Sequence, residues 1–176
     1  MTVRVRDACE ADLDSLVSLY NRYIIETPIT FDLVPYTVQQ RRDSWFCHYS
    51  NFGRYRLLVA EYANLDAAAQ VVGYASSSKF AAKDAYNTSV ETSIYIAPEY
   101  VGLGIGGQLY EALFATLANE DVHRAYAGIT LPNEASIAVH KKFGFEQVGL
   151  FKEVGRKFDR YWDVAWYEKP IKKMSR

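Results

Sequence analysis

The sequence predicts a mixed α/β fold in which helices cover a mixed sheet, and three observations carry that prediction. Short apolar or alternating runs of strand length recur along the chain. Between them lie segments whose apolar residues return every three or four positions, as helices require. Most glycines and prolines fall at the joins between the two kinds of segment.

Each element follows from its own pattern. Residues 2–6, TVRVR, alternate as a half-exposed strand, and Leu13, Leu16, Val17, Tyr20 and Ile24 then share one face of a helix. Two prolines and a lone phenylalanine interrupt TPITFDLVP, which predicts an ordered loop. Thr37 and Gln40 form a capping-box start for a second helix reaching about Tyr49. Residues 54–62 and 70–80 are two strands joined by a polar, alanine-rich turn, an expected antiparallel pair. Residues 88–97 are a fourth strand, stopped by Pro98. A helix from about Gly104 to Asn119 carries Leu109, Leu113, Phe114 and Leu117 as its apolar stripe. HRAYAGITL is a fifth strand and NEASIAVHKKF a helix, with Gly144 as its left-handed terminator. The tail alternates in strand fashion. The order is β-α-α-β-β-β-α-β-α-β, with room for one further strand.

Composition narrows the function classes. A chain of 176 residues, 49% hydrophobic and 23% charged, is expected to form a single domain over residues 1–176. Twenty basic residues against 21 acidic ones leave no field that would draw the chain to nucleic acid or to a membrane surface. Cys9 and Cys47 match no metal or redox spacing and are expected to be packing thiols in helices. The charged start MTVRVRDACEADLDSL carries no signal-like apolar region, so a cytoplasmic location is expected.

The stretch APEYVGLGIGGQLYEALF concentrates the chemistry. Gly102, Gly104 and Gly107 satisfy G-x-G-x-x-G, but Pro98 to Val101 separate them from the strand, and too little chain follows for a doubly wound dinucleotide domain. A P-loop is excluded because no Gly-Lys-Ser/Thr follows. What remains is a glycine loop feeding a helix N-terminus, where converging N–H groups and the helix dipole suit a pyrophosphate. The same glycines also serve simply to turn the chain or to let the helix approach the sheet.

The segment VETSIYIAPEYVGLGIGGQLYEAL followed by LPNEASIAVHKKFGF resembles the acetyl-CoA-binding core of the GNAT family of N-acetyltransferases. The tail EVGRKFDRYWDVAWYEKP, with TF at 30–31 and His140, resembles the phosphinothricin acetyltransferase-like branch more narrowly. The resemblance spans nearly the whole chain. It implies a mostly antiparallel sheet of six to seven strands, helices on both faces, and a V-shaped opening between the parallel fourth and fifth strands. In that opening Ile94, Tyr95 and Ile96 would meet the pantetheine and thioester of acetyl-CoA through their backbone. Gly102, Leu103, Gly104, Ile105, Gly106 and Gly107 would hold the pyrophosphate, and Asn133 would bond near the cofactor arm. Val101 departs from the arginine or glutamine that usually opens the family's loop, although its backbone N–H would still make the main contact there. No metal is implied.

Acyl transfer from a thioester needs a neutral amine, whereas a free aliphatic amine with a pKa of roughly 8 to 10 is mostly protonated near neutral pH. Glu91, just before Ile94–Ile96, is the candidate general base; its other reading is a glutamate on a solvated strand face. Backbone amides of the splayed strand would stabilise the oxyanion. His140 stands seven residues after Asn133, where many family members carry tyrosine, and is the candidate acid for the departing thiolate. A histidine on a helix is otherwise a surface or packed polar group. Tyr110 and Tyr126 fall in apolar patterns that core packing explains.

The branch resemblance implies a small amino acid or analogue as acceptor, of the phosphinothricin or methionine sulfoximine type. Phe31 would wall its pocket or anchor the loop. The branch pattern has an arginine and histidines around the base, where this chain has Asn87, Thr88 and Thr92. Lys79, Lys83, Arg156 and Lys157 are the cations left to take the acceptor's carboxylate. The basic, aromatic tail fits a protein interface better than RNA, and a homodimer is expected. A non-catalytic CoA-binding protein is the alternative.

Overall fold

The computed structural model describes residues 2–64 and 67–171, so residues 65–66 of the expected alanine-rich turn lie outside them. The alternating N-terminal run forms strand β1 (Thr2–Asp7). Its register with β2 (Leu57–Asn64) and the antiparallel pairing of β2 with β3 (Ala67–Lys79) build one half of the sheet. Strand β4 (Ser89–Ile96) continues it antiparallel to β3, and β5 (Arg124–Thr130) joins β4 in parallel. The tail supplies the seventh strand as a hairpin of β6 (Glu146–Lys157) and β7 (Arg160–Pro170), and the sheet order is β1-β2-β3-β4-β5-β7-β6.

Period-two alternation in β2 distributes its side chains to two cores. Leu57 and Val59 face α1 (Leu13–Glu26), where Leu16, Leu19, Tyr20 and Ile24 are buried. Leu58 and Ala60 face α3 (Ile105–Leu117), against Leu109, Tyr110, Leu113 and Leu117. Helices therefore cover both faces, and burial of both stripes supplies the main driving force for the fold.

Helix α2 (Val38–Ser44) begins at the expected capping box: Gln40 N–H donates to Thr37 Oγ1 at 3.2 Å, and Thr37 N–H to Gln40 Oε1 at 2.8 Å. It ends earlier than the expected Tyr49. Trp45 leaves helical geometry (φ −136°, ψ −58°) to pack its ring edge-on against Tyr49 and Tyr74, at 5.1 and 5.6 Å between centroids. Both cysteines correct the packing expectation. Cys9 precedes one 3-10 turn and Cys47 lies in another, and both are exposed free thiols. Helix α4 (Glu134–Lys142) ends at Gly144 with φ 80°, the left-handed terminator expected.

The loop between α1 and α2 is anchored to the hairpin. Phe31 lies on Gly155 so closely that a Cβ there would be 2.1 Å from Phe31 Cε2. Lys157 Nζ donates to Thr30 O at 2.7 Å from beneath the same loop. Gly155→Ala is therefore expected to lower stability by about 2 kcal/mol in chemical denaturation, as overpacking does. Phe31→Ala should relieve most of that penalty in the double variant. Additive effects of the two changes would show that ring and glycine are not coupled.

Candidate active site

The site begins where two strands part. β4 pairs with β5 only from Ser89–Arg124 to Glu91–Tyr126, while it stays paired with β3 as far as Ile96–Gly73. Thr92 Oγ1 donates to Tyr126 O at 3.2 Å at the point of separation. Beyond it a small cavity of about 40 Å³ opens between Thr92–Tyr95 and Gly128–Thr130, with His140 at its wall. Ala97 N–H reaches Val72 O at 2.7 Å, so strand alternation turns Tyr95 N–H toward β3 and the N–H groups of Ile94 and Ile96 into the opening. Tyr23 donates its hydroxyl proton to Ile96 O on that open side, at 2.7 Å.

A larger cavity of about 470 Å³ continues from the opening along the N-terminus of α3. Ile94, Ile96, Gly102, Gly104 to Gly107 and Asn133 line it. Gly102 and Gly104 have φ of 87° and 79°, the left-handed region that glycine enters without steric cost. In-chain bonding of the first turn starts only at Gly107 N–H to Gly104 O, 3.1 Å. Among the described residues, the N–H groups of residues 102–106 have no backbone acceptor. These are the orphan donors of a helix start, converging on an anion-sized space.

Three of the expected contacts behave differently. Tyr95 turns its backbone to β3 and its ring to the α1 face, edge-on to Tyr20 and Tyr23 at 5.2 and 5.0 Å. Leu103 is exposed and does not line the larger cavity. Val101 N–H is engaged by Pro98 O at 3.3 Å, so the free donors begin one residue later than expected. Asn133 caps α4, its Oδ1 accepting Ser136 N–H at 3.1 Å, which leaves its side-chain amide N–H donors for the cavity. Lys142, on the last turn of α4, also lines the groove; in sequence it is one of two adjacent lysines with no sign of which faces inward.

Glu91 is half-buried, and its cross-strand neighbours are Ser78 and Tyr126. Val90 before it enters the core under α3, so Glu91 faces the opposite side with Tyr95 and Tyr74. Burial pushes its carboxyl above the ordinary carboxylate range, and no hydrogen bond offsets that effect.

His140 is buried on the α3 face. Its Nδ1 donates to Ser136 O at 2.7 Å, and Tyr110 Oη lies 2.8 Å from Nε2. Desolvation lowers the imidazole pKa, so the neutral ring accepts the Tyr110 proton at Nε2. Burial raises the Tyr110 hydroxyl well above its usual value. At neutral pH the expected acid therefore has no spare proton, and the phenol behind it is a poor source of one. Tyr110 fills core space, as its sequence pattern indicated, and also carries this buried hydrogen bond.

Of the expected acceptor cations, Lys79 is turned off the Glu91 face and Lys157 is already engaged. Lys79 is exposed and shares a face with its register partner Val90, opposite Glu91. Lys157 is buried with its ammonium engaged by Thr30 O, and desolvation lowers its pKa against the opposing pull of Asp32. Lys83 is exposed, and Arg156 is exposed beside Asp159 at 3.3 Å. Phe31 sits against Gly155 as the loop's anchor.

Residues 5–166 match the acetyltransferase (GNAT) domain family. The chain is a GNAT-family N-acetyltransferase. It is 55% identical to a phosphinothricin N-acetyltransferase of Streptomyces coelicolor, over 96% of each chain. It is 33% identical to an L-methionine sulfoximine/L-methionine sulfone acetyltransferase of Pseudomonas aeruginosa, over 96% of this chain and 94% of the relative. Among solved structures, a GNAT superfamily phosphinothricin acetyltransferase from Sinorhizobium meliloti in complex with AcCoA superimposes with a TM-score of 0.87 at 32% identity. That match covers 99% of this chain and 91% of the other. The GNAT fold thus accounts for the seven-stranded, mostly antiparallel sheet with its single parallel pair.

Proposed function

We propose that residues 1–176 form one catalytic domain that transfers the acetyl group of acetyl-CoA to the amine of a small amino acid or analogue. The proposed acceptors are of the phosphinothricin and methionine sulfoximine type, and the amine attacks directly in a ternary complex. The observation that carries this reading is the continuity of the groove: the cavity along the uncommitted N–H groups of residues 102–106 shares Ile94 and Asn133 with the opening that begins where β4 and β5 part after the Glu91–Tyr126 pair. The donor set fits a pyrophosphate, and the apolar stretch past Ile94 and Ile96 fits a pantetheine arm. When bound, acetyl-CoA supplies the activated acyl carbon.

Glu91 accepts a proton from the acceptor's ammonium, directly or through one water, and its raised pKa suits that task near neutrality. The freed amine then forms the C–N bond. The N–H groups of Ile94 and Ile96, turned into the opening, hold the charge that develops on the carbonyl oxygen. As the C–S bond breaks, the thiolate takes the remaining extra proton of the attacking nitrogen, because the His140–Tyr110 pair has none to give. His140 acts as a positioned wall of the opening, and Lys142 adds a cation at the phosphate end.

A homodimer is proposed through the β6 edge, which exposes Val148, Leu150, Phe151 and Val154. Light scattering that gives a monomer at micromolar concentration would remove it. A cytoplasmic site of action follows from the acetyl-CoA supply. A thiol-release assay with acetyl-CoA and a panel of amino acids tests the function. Turnover limited to small α-amines is expected, and cofactor binding without turnover would favour the non-catalytic reading. In the same assay His140→Phe should keep the alkaline limb of the pH profile. Loss of that limb would restore the histidine as acid.

A further inference from the structure

One buried charge has no role in the chemistry above. Arg41 lies on the inward face of α2 and is 7% exposed. Its guanidinium carbon sits 3.9 Å from the ring centroid of Trp45, 4.4 Å from that of Tyr20 and 5.3 Å from that of Tyr36. Nε has no hydrogen-bond partner. Among the described residues no acidic side chain pairs with it, whereas its neighbour Arg42 lies against Glu10 at 3.1 Å. Asp32 is engaged by the hydroxyls of Tyr20 at 2.5 Å and Tyr36 at 3.2 Å.

Ring faces attract a guanidinium through its flat sides, but its five N–H donors lie in its own plane and point past them. A buried cation without an anion is costly, and a planar fork of donors matches an oxyacid group. The box also belongs to the Glu91 side of the sheet: its rings pack in one cluster with Tyr49, Tyr74 and Tyr95. Tyr95 meets Tyr20 at 5.2 Å and Tyr74 meets Trp45 at 5.6 Å between ring centroids.

We propose that Arg41 binds the anionic oxyacid group of the acceptor, a carboxylate or a phosphinate, and thereby fixes which end of the acceptor meets Glu91. This deepens the proposed function and rests on it. It also supplies a cation to the Glu91 face, whereas Lys79 is turned to the other face and Lys157 is held by Thr30 O.

The test compares three acceptors on the full chain: L-methionine sulfone, its carboxamide and phosphinothricin. Arg41→Met should lower kcat/KM for methionine sulfone about 30- to 100-fold, mostly through KM. Its rate with the carboxamide and its KM for acetyl-CoA should stay within a few fold of wild type. Arg41→Lys, which keeps the charge but not the fork, should recover part of the loss and guards against a folding failure in the first variant. A loss on phosphinothricin with none on methionine sulfone also supports the proposal and identifies the phosphinate as the group held. Equal losses on acid and amide, or no loss in either folded variant, would overturn it and leave Arg41 as a packing residue. Failure of the wild-type protein to acetylate any of the three would instead remove the acceptor-pocket reading and this inference with it.

Discussion

Replacing Glu91 with glutamine is expected to lower kcat at neutral pH by about 100- to 1000-fold, the scale of a lost general base. The residual rate should rise with pH, because the variant still acetylates whatever amine is already deprotonated in solution. A second readout separates this role from a structural one. The folded-state pKa of Glu91 is raised by burial, so the native state binds its proton more tightly than the unfolded chain does. Below the ordinary carboxylate pKa of about 4.3 both states are protonated and the residue costs nothing. As pH rises from there through the raised folded value, the unfolded chain ionises first and stability falls. Glu91→Gln should therefore melt higher than wild type at neutral pH and converge with it in acid. A variant that keeps wild-type turnover, or that melts lower at neutral pH, would reassign the carboxylate to the framework.

The parts of the fold that were legible in the sequence are those decided within a turn or two of chain. The Thr37–Gln40 capping box, the stop at Pro98 and the left-handed Gly144 each depend on neighbours no more than a few residues away. The glycine loop was legible for the same reason, since positive φ at Gly102 and Gly104 is a local demand. The parting of β4 from β5 was not readable from periodicity. Both strands look ordinary alone, and only the resemblance to a known family pointed to the opening between them.

What stayed hidden depends on which face a long-range contact selects. Arg41 and Arg42 are adjacent and alike in sequence, yet one enters an aromatic box and the other lies against Glu10. Tyr110 sits in an apolar stripe, and nothing near it signals that its hydroxyl meets His140 on another helix. Lys157 looked available as a surface cation until the hairpin turned it beneath the Thr30 carbonyl. Trp45 continues a helical pattern but leaves the helix, because the rings of Tyr49 and Tyr74 receive it better off the axis. In each case the residue type was informative and its direction was not.

The loop that begins α3 allows charge to be separated from shape. A side chain at Gly104 would start in open space, with no atom within 4 Å of its Cβ, but the position has φ 79°. Asparagine and aspartate both tolerate that region and differ by one charge. Gly104→Asn is thus expected to bind acetyl-CoA within a few fold of wild type, with little change in Tm. Gly104→Asp should weaken binding by about 100-fold. A carboxylate about 5 Å from a phosphate, at an effective dielectric near 20, opposes it by about 3 kcal/mol. The penalty should shrink in high salt, since the groove is open to solvent. Titration calorimetry of both variants with acetyl-CoA measures the difference directly. Equal affinities for the two would mean that the diphosphate lies away from these amides, whereas a salt-sensitive gap confined to the aspartate would tie the loop to anion binding through its charge rather than its width.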